Sequence, residues 1–88
     1  MNTLILHTEH CLNRLLELEQ QVEESRLFNV GYIIPQVTLL ENQWRDEGRS
    51  GDLQNFLADL KQMVNAHGRQ DNLDDQDLTV NAEILALL

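Results

Sequence analysis

The residues of this chain that are best suited to chemistry are His7, His10 and Cys11, which lie close together in the sequence. His7 and Cys11 are four residues apart, a spacing that places two side chains on one face of an α-helix. Imidazole nitrogen and thiolate sulfur are usual zinc ligands, but a structural zinc site needs four ligands, usually in two close pairs, and only one pair is visible. A structural zinc-binding protein is therefore a secondary alternative, and we expect Cys11 in the core with both histidines at its edge.

The same residues give little support for catalysis. A Cys–His nucleophile needs a cleft, a partner that orients the imidazole and donors for an oxyanion, and a helix whose amides are bonded internally supplies none of these. The acidic stretch after residue 70 is a poor calcium loop, because a twelve-residue frame from Asn72 has Asp77 where the turn needs glycine. We therefore expect no enzyme activity and no cofactor.

These residues belong to Thr3–Arg26, the stretch around which the chain is organised. Its apolar residues recur at intervals that predict one stripe of an α-helix of about six turns. The stripe comprises Leu4, Cys11, Leu15, Leu18 and Val22, and it is widened into a band by Leu12 and Leu16. Other elements, or a second copy of the chain, must cover that band.

The second element is ambiguous at its start, because residues 30–34 fit a turn, a strand or a helix. A helical stripe then extends to about Asp46; it comprises Val30, Ile33, Val37, Leu40 and Trp44. Inside a helix Pro35 would strike the carbonyl of Gly31, whereas proline is favoured at the first helical position. We therefore predict a break over residues 25–31 and a helix that begins at Pro35 or one residue before it.

Two further helices follow a loop that contains two glycines. Ser50 or Asp52 caps a third helix that extends to about His67, and the glycine after it suits a left-handed cap. Arg69–Asp77 is polar and predicts a loop, and a shorter fourth helix covers about Leu78–Leu88. Since short loops favour antiparallel neighbours, we predict one all-α domain over residues 1–88, a small antiparallel bundle of three amphipathic helices plus a shorter C-terminal helix.

The chain has 88 residues and a net charge of −9, from 15 acidic and 6 basic side chains. This balance argues against direct nucleic-acid binding and against an anionic membrane surface, because both attract clustered lysines and arginines. The single cysteine cannot form an internal disulfide, and neither a signal peptide nor a membrane span is recognisable. A cytoplasmic location is the default expectation.

Small size, acidity and amphipathic helices favour a protein-interaction module without catalysis: an adaptor, a regulator or a chaperone for a basic or aggregation-prone client protein. The alternative is an acidic inhibitor that blocks a nucleic-acid-binding surface, as a DNA mimic or an immunity protein does. Residues 71–88 hold five acids and no base, which suits a basic partner in either case.

Partner-binding residues are expected in two regions. The apolar band of the first helix predicts a homodimer, because so small a domain buries a limited share of its surface. The C-terminal segment ends in several large apolar residues and predicts either a docking segment for a partner or closure of the core. The expected residues are Leu15, Leu18 and Val22 in the first helix, and Asp74, Asp75, Asp77, Ile84, Leu85, Leu87 and Leu88 at the C-terminal end.

Overall fold

The computed structural model describes residues 3–88, and over that range it consists of four α-helices and no strand. The predicted all-α helical bundle is confirmed. The second helix lies at the centre and packs against each of the other three. Within the described residues, no helix has both the length and the apolar character that crossing a membrane requires. The helices are α1, Thr3–Gln21; α2, Glu24–Glu47; α3, Leu53–Gln70; and α4, Asp75–Leu85.

α1 ends at Gln21, so the predicted helix to Arg26 is wrong over its last turn. The break falls at residues 22 and 23. Glu23 has an extended backbone, with φ −63° and ψ 153°, and its carbonyl accepts the first hydrogen bond of the next helix, from the amide of Arg26 at 2.8 Å. The chain reverses here, and α1 and α2 then bury their apolar faces against each other.

α2 begins at Glu24 and contains Pro35 in its interior, so the prediction that the helix begins at Pro35 or one residue before it is wrong. Proline has no N–H, and the carbonyl of Gly31 therefore lacks its usual helical partner. The buried Gln36 supports the helix at this point: its Nε2 donates to the Tyr32 carbonyl at 3.0 Å, and its Oε1 accepts from His67 Nδ1 at 2.9 Å. One side chain thus links α3 to α2 next to the proline.

Gly68 is not the predicted left-handed cap, since α3 continues two residues beyond it and buries it. A Cβ atom at Gly68 would lie 2.7 Å from Cδ2 of Leu78, so the glycine allows α4 to approach α3 closely. α3 starts with a capping box. The side chain of Asp52 accepts from the backbone amide of Asn55 at 2.9 Å, and the side chain of Asn55 accepts from the backbone amide of Asp52 at 3.1 Å. Asp74 caps α4, which begins three residues earlier than predicted.

The core runs the length of the bundle and is mostly aliphatic. Trp44 is its largest side chain; its ring meets that of Phe56 edge-on at 5.2 Å, and its indole N–H donates to Asp59 at 2.9 Å. This hydrogen bond satisfies the one polar atom of the buried indole. The buried apolar residues are Leu4, Cys11, Leu15, Leu18, Val30, Ile33, Val37, Leu40, Trp44, Phe56, Leu60, Val64, Ile84 and Leu85.

Candidate functional site

The residues proposed for a zinc site have other partners in the structure. Nε2 of His7 lies 2.9 Å from the carbonyl of Gly51, and Nε2 of His10 lies 2.8 Å from the carbonyl of Leu88, so each ring nitrogen donates to backbone. Cys11 is buried in the core, and burial raises the pKa of its thiol to about 11. Over residues 3–88, no three His, Cys, Asp or Glu residues are grouped so that they could hold a metal ion.

The central stripe of the apolar band of α1 is covered by the chain itself, whereas Leu16 at its edge is exposed. Leu15 is fully buried, Leu18 is 4% exposed, and Val22 packs against the core while remaining partly exposed. The assignment of Leu15 and Leu18 to a partner surface is thus corrected, because α2 and the rest of the core already cover them. A homodimer through α1 stays a prediction, and it would have to use the exposed residues Ile5, Leu6 and Leu16.

The expected partner-binding residues of the C-terminal segment likewise include both buried and exposed side chains. Ile84 is 1% exposed and Leu85 is 9% exposed, so for these two residues the structure favours core closure over docking to a partner. Leu87 projects outward and Leu88 is half-buried. The Leu87 carbonyl accepts from Nε of Arg14 at 3.2 Å, which ties the end of the segment to α1.

Two of the three predicted acidic residues have structural roles. Asp74 Oδ1 accepts from the amide of Asp77 at 2.8 Å and caps α4. Both the carbonyl and Oδ1 of Asp77 lie 3.4 Å from Nδ2 of the buried Asn29, an interaction that joins α4 to α2. Asp75 is exposed in the first turn of α4, where the helix dipole favours an acidic side chain. It is therefore the member of the three best placed to meet a partner.

The structure reveals an apolar surface that the sequence analysis missed, on the more exposed side of α2. Four residues at positions i, i+4, i+7 and i+11 share this face and span about 16 Å. Phe28 is 54% exposed and Leu39 is 49% exposed. Pro35 is exposed as well, and Tyr32 is half-buried. We call these four residues the outer strip of α2.

The aromatic end of the outer strip is held in place by the neighbouring loop. The rings of Phe28 and Tyr32 stack with centroids 5.8 Å apart and planes 27° apart. The Tyr32 hydroxyl donates to the carboxylate of Asp71, in the loop between α3 and α4. Partial burial of Tyr32, together with the hydrogen bond to Asp71 and its negative charge, raises the pKa of Tyr32 to about 12. Tyr32 therefore stays neutral and keeps its donor role at physiological pH.

Acidic side chains occur near this aromatic end. Asp71 contacts Tyr32, and Asp77 contacts Asn29, the residue next to Phe28. The start of α4, with its acidic first turn, thus packs against the buried side of α2 near this end. Arg26, a base in the first turn of α2, is paired with Glu83 at 2.9 Å, which neutralises much of its charge. Such a surface offers apolar area and negative charge, and both are suited to binding.

The sequence did carry a pattern for the outer strip, since residues 28, 32, 35 and 39 have helical spacing. The predicted break over residues 25–31 hid it, because half of the strip precedes the predicted helix. No match to this chain is found among protein-family models, curated protein sequences or solved structures.

Proposed function

We propose that this chain is an acidic protein-interaction module, which binds a basic amphipathic segment of a partner protein on the outer strip of α2. The observation that carries the proposal is the strip itself. Phe28 and Leu39 expose about half of their surface on one helix face, and the acidic Asp71 lies at its aromatic end. Extended apolar area with a polar border is characteristic of interaction surfaces.

The dimensions of the strip favour a helical partner. An amphipathic helix places anchors at positions i, i+3 or i+4, and i+7, which span about 10 Å and fit within the strip. Its apolar side chains would bury Phe28 and Leu39, the two most exposed members. The open space around Gly31, where a Cβ atom would meet nothing within 4 Å, allows a partner to approach the backbone of α2.

The negative charge of the chain indicates that the partner surface is positively charged. The chain carries a net charge of −9, which steers basic surfaces toward it and raises the association rate. An arginine or lysine of the partner would meet Asp71 or Asp75, and a cation above the exposed ring of Phe28 would gain a cation–π interaction. The partner is therefore a basic or aggregation-prone client in the cytoplasm, and the module acts as its adaptor, regulator or chaperone without catalysis.

The test uses a synthetic helix with leucines on one face and lysines on the other, titrated into the protein by calorimetry. Leu39→Ser should weaken binding by about tenfold or more, because it removes one of the two most exposed apolar anchors. Leu16→Ser is the matched control, since Leu16 is 50% exposed and Leu39 is 49% exposed, but Leu16 lies on α1. Equal effects of the two substitutions, or no effect of Leu39→Ser, would refute the assignment of the outer strip.

A second peptide tests the charge. Replacing every lysine of the synthetic helix with glutamate should abolish binding, and added salt should weaken the lysine peptide only moderately, because apolar burial supplies part of the affinity. Steep loss with salt, combined with no effect of Leu39→Ser, would instead favour the acidic inhibitor of a nucleic-acid-binding surface.

A further inference from the structure

A second surface lies in the groove between α3 and α4, and its lining includes no residue of the outer strip. The groove contains two cavities, with volumes of about 260 Å³ and about 450 Å³. Lys61 and Leu85 line both, so the two cavities adjoin at these side chains. Aliphatic walls continue on either side, from Leu78 in the smaller cavity and from Leu57 in the larger one.

Lys61 places a positive charge at the junction of the two cavities. It is the only lysine of the chain, and over residues 3–88 it forms no ion pair, although four arginines pair with acidic side chains within the same range. Arg69 also forms no ion pair within this range, but only Lys61 lines the groove, and no Asp or Glu is among the lining residues. The groove thus combines aliphatic walls with one cation that pairs with no acidic side chain among residues 3–88.

The wall of the smaller cavity also contains a polar group with unused bonding capacity. Asn81 is 3% exposed, and its Oδ1 accepts from Nδ2 of Asn29 at 2.9 Å. The same Asn29 nitrogen faces the acceptor oxygens of Asp77, which fixes the orientation of both amides. Nδ2 of Asn81 is buried and has no hydrogen-bond partner among residues 3–88.

From these observations we propose that the α3–α4 groove binds an aliphatic monocarboxylate, with the carboxylate paired to Lys61 and the hydrocarbon chain along the apolar walls. Ligand sites typically enclose about 300–1,000 Å³. The larger cavity lies within this range and the adjoining smaller one lies just below it, which suits a chain of short to medium length. The lysine selects an anion, because it is the only charged side chain that lines the smaller cavity. This inference is independent of the partner proposed for α2.

The test is a titration of the protein with octanoate, followed by the chemical shifts of backbone amides in NMR spectra. Saturable shifts should concentrate in α3 and α4 around Lys61. Octylammonium, which has the same chain and the opposite charge, should not produce them. Lys61→Gln should weaken octanoate binding by about tenfold or more, and Lys61→Arg should retain it, since an ion pair is lost only in the first variant.

A cavity-filling variant provides a second readout. Ala82 lines the smaller cavity and is exposed, so Ala82→Leu should block octanoate without unfolding α4. Ala66→Leu is the control, because Ala66 is also an exposed helical alanine but lies about 140° around α3 from Lys61. Octanoate binding that survives both Lys61→Gln and Ala82→Leu would overturn the proposal. So would equal affinity for octanoate and octylammonium, or the absence of saturable shifts.

Discussion

Substitution of Ile84 in α4 tests whether the C-terminal segment is part of the core, because Ile84 is buried whereas the nearby Leu87 is exposed. Ile84 is 1% exposed, whereas Leu87 is 51% exposed. Ile84→Ala removes buried apolar atoms and leaves a cavity, and we expect it to lower the free energy of unfolding by about 2–5 kcal/mol. Leu87→Ala removes atoms that are already half in water, and its effect should stay within about 0.5 kcal/mol.

These magnitudes are large for so small a protein. At about 0.05–0.15 kcal/mol per residue, a domain of 88 residues has a total stability of about 4–13 kcal/mol. Ile84→Ala would therefore remove a large part of the stability, and the melting temperature should fall by more than about 10 °C. Deletion of Asn81–Leu88 removes Asn81, Ile84 and Leu85 together, all of them buried, and the shortened chain should not unfold cooperatively.

The assay is urea denaturation followed by far-ultraviolet circular dichroism, with the wild type, both alanine variants and the deletion measured in parallel. The midpoint should shift for Ile84→Ala while the slope of the transition stays constant, which marks a change in stability rather than in the unfolded state. An Ile84→Ala midpoint equal to that of Leu87→Ala would refute the role of α4 in the core. A cooperatively folded deletion variant would do the same.

Two further predictions concern Pro35 and Cys11. Pro35→Ala should raise the free energy of unfolding by about 1–3 kcal/mol, because alanine restores the amide that the Gly31 carbonyl lacks; a thermal melt that is unchanged or lower would contradict this. Because burial raises the pKa of Cys11 from 9.0 to about 11, its thiol should resist alkylation at neutral pH until the protein unfolds. The folded state favours the neutral thiol, so the contribution of Cys11 to stability is complete below pH 9.0 and is lost as the pH rises through about 11. Cys11→Ala should lack this part of the pH dependence, and rapid alkylation of the native protein would show that the thiol is accessible.

Local patterns in the sequence predict much of this fold. Apolar spacing identifies the buried face of each long helix, and Cys11 and Leu15 lie in the core as that spacing requires. The cap at Asp52 is also readable, because a polar side chain before an apolar run satisfies the first amides of a helix. These features depend on neighbours within a few residues, and sequence reasoning has access to them.

Features that depend on contacts between helices are not readable in the same way. Gly68 has the sequence context of a helix end, yet its role is to make room for Leu78, which is ten residues away and on another helix. Likewise, Leu15 and Leu18 have the spacing of an interface, and only the packing of α2 shows that the chain covers them itself. Apolar spacing predicts which face is buried but does not say what buries it.

The prediction that α2 begins at Pro35 is wrong, and it concealed the outer strip. The same proline, placed within a longer helix, indicates which side of α2 faces solvent. α2 has two apolar stripes with helical spacing, and the five-residue stripe from Val30 to Trp44 faces the core. A proline leaves the carbonyl four residues before it without a partner, and a buried carbonyl in that state is costly, whereas an exposed one can bond to water. Both Pro35 and Gly31 are exposed in the structure, so the defect lies where solvent can satisfy it. Proline within a long helical pattern therefore indicates the solvent side of that helix, and here it indicates the stripe that contains Phe28 and Leu39.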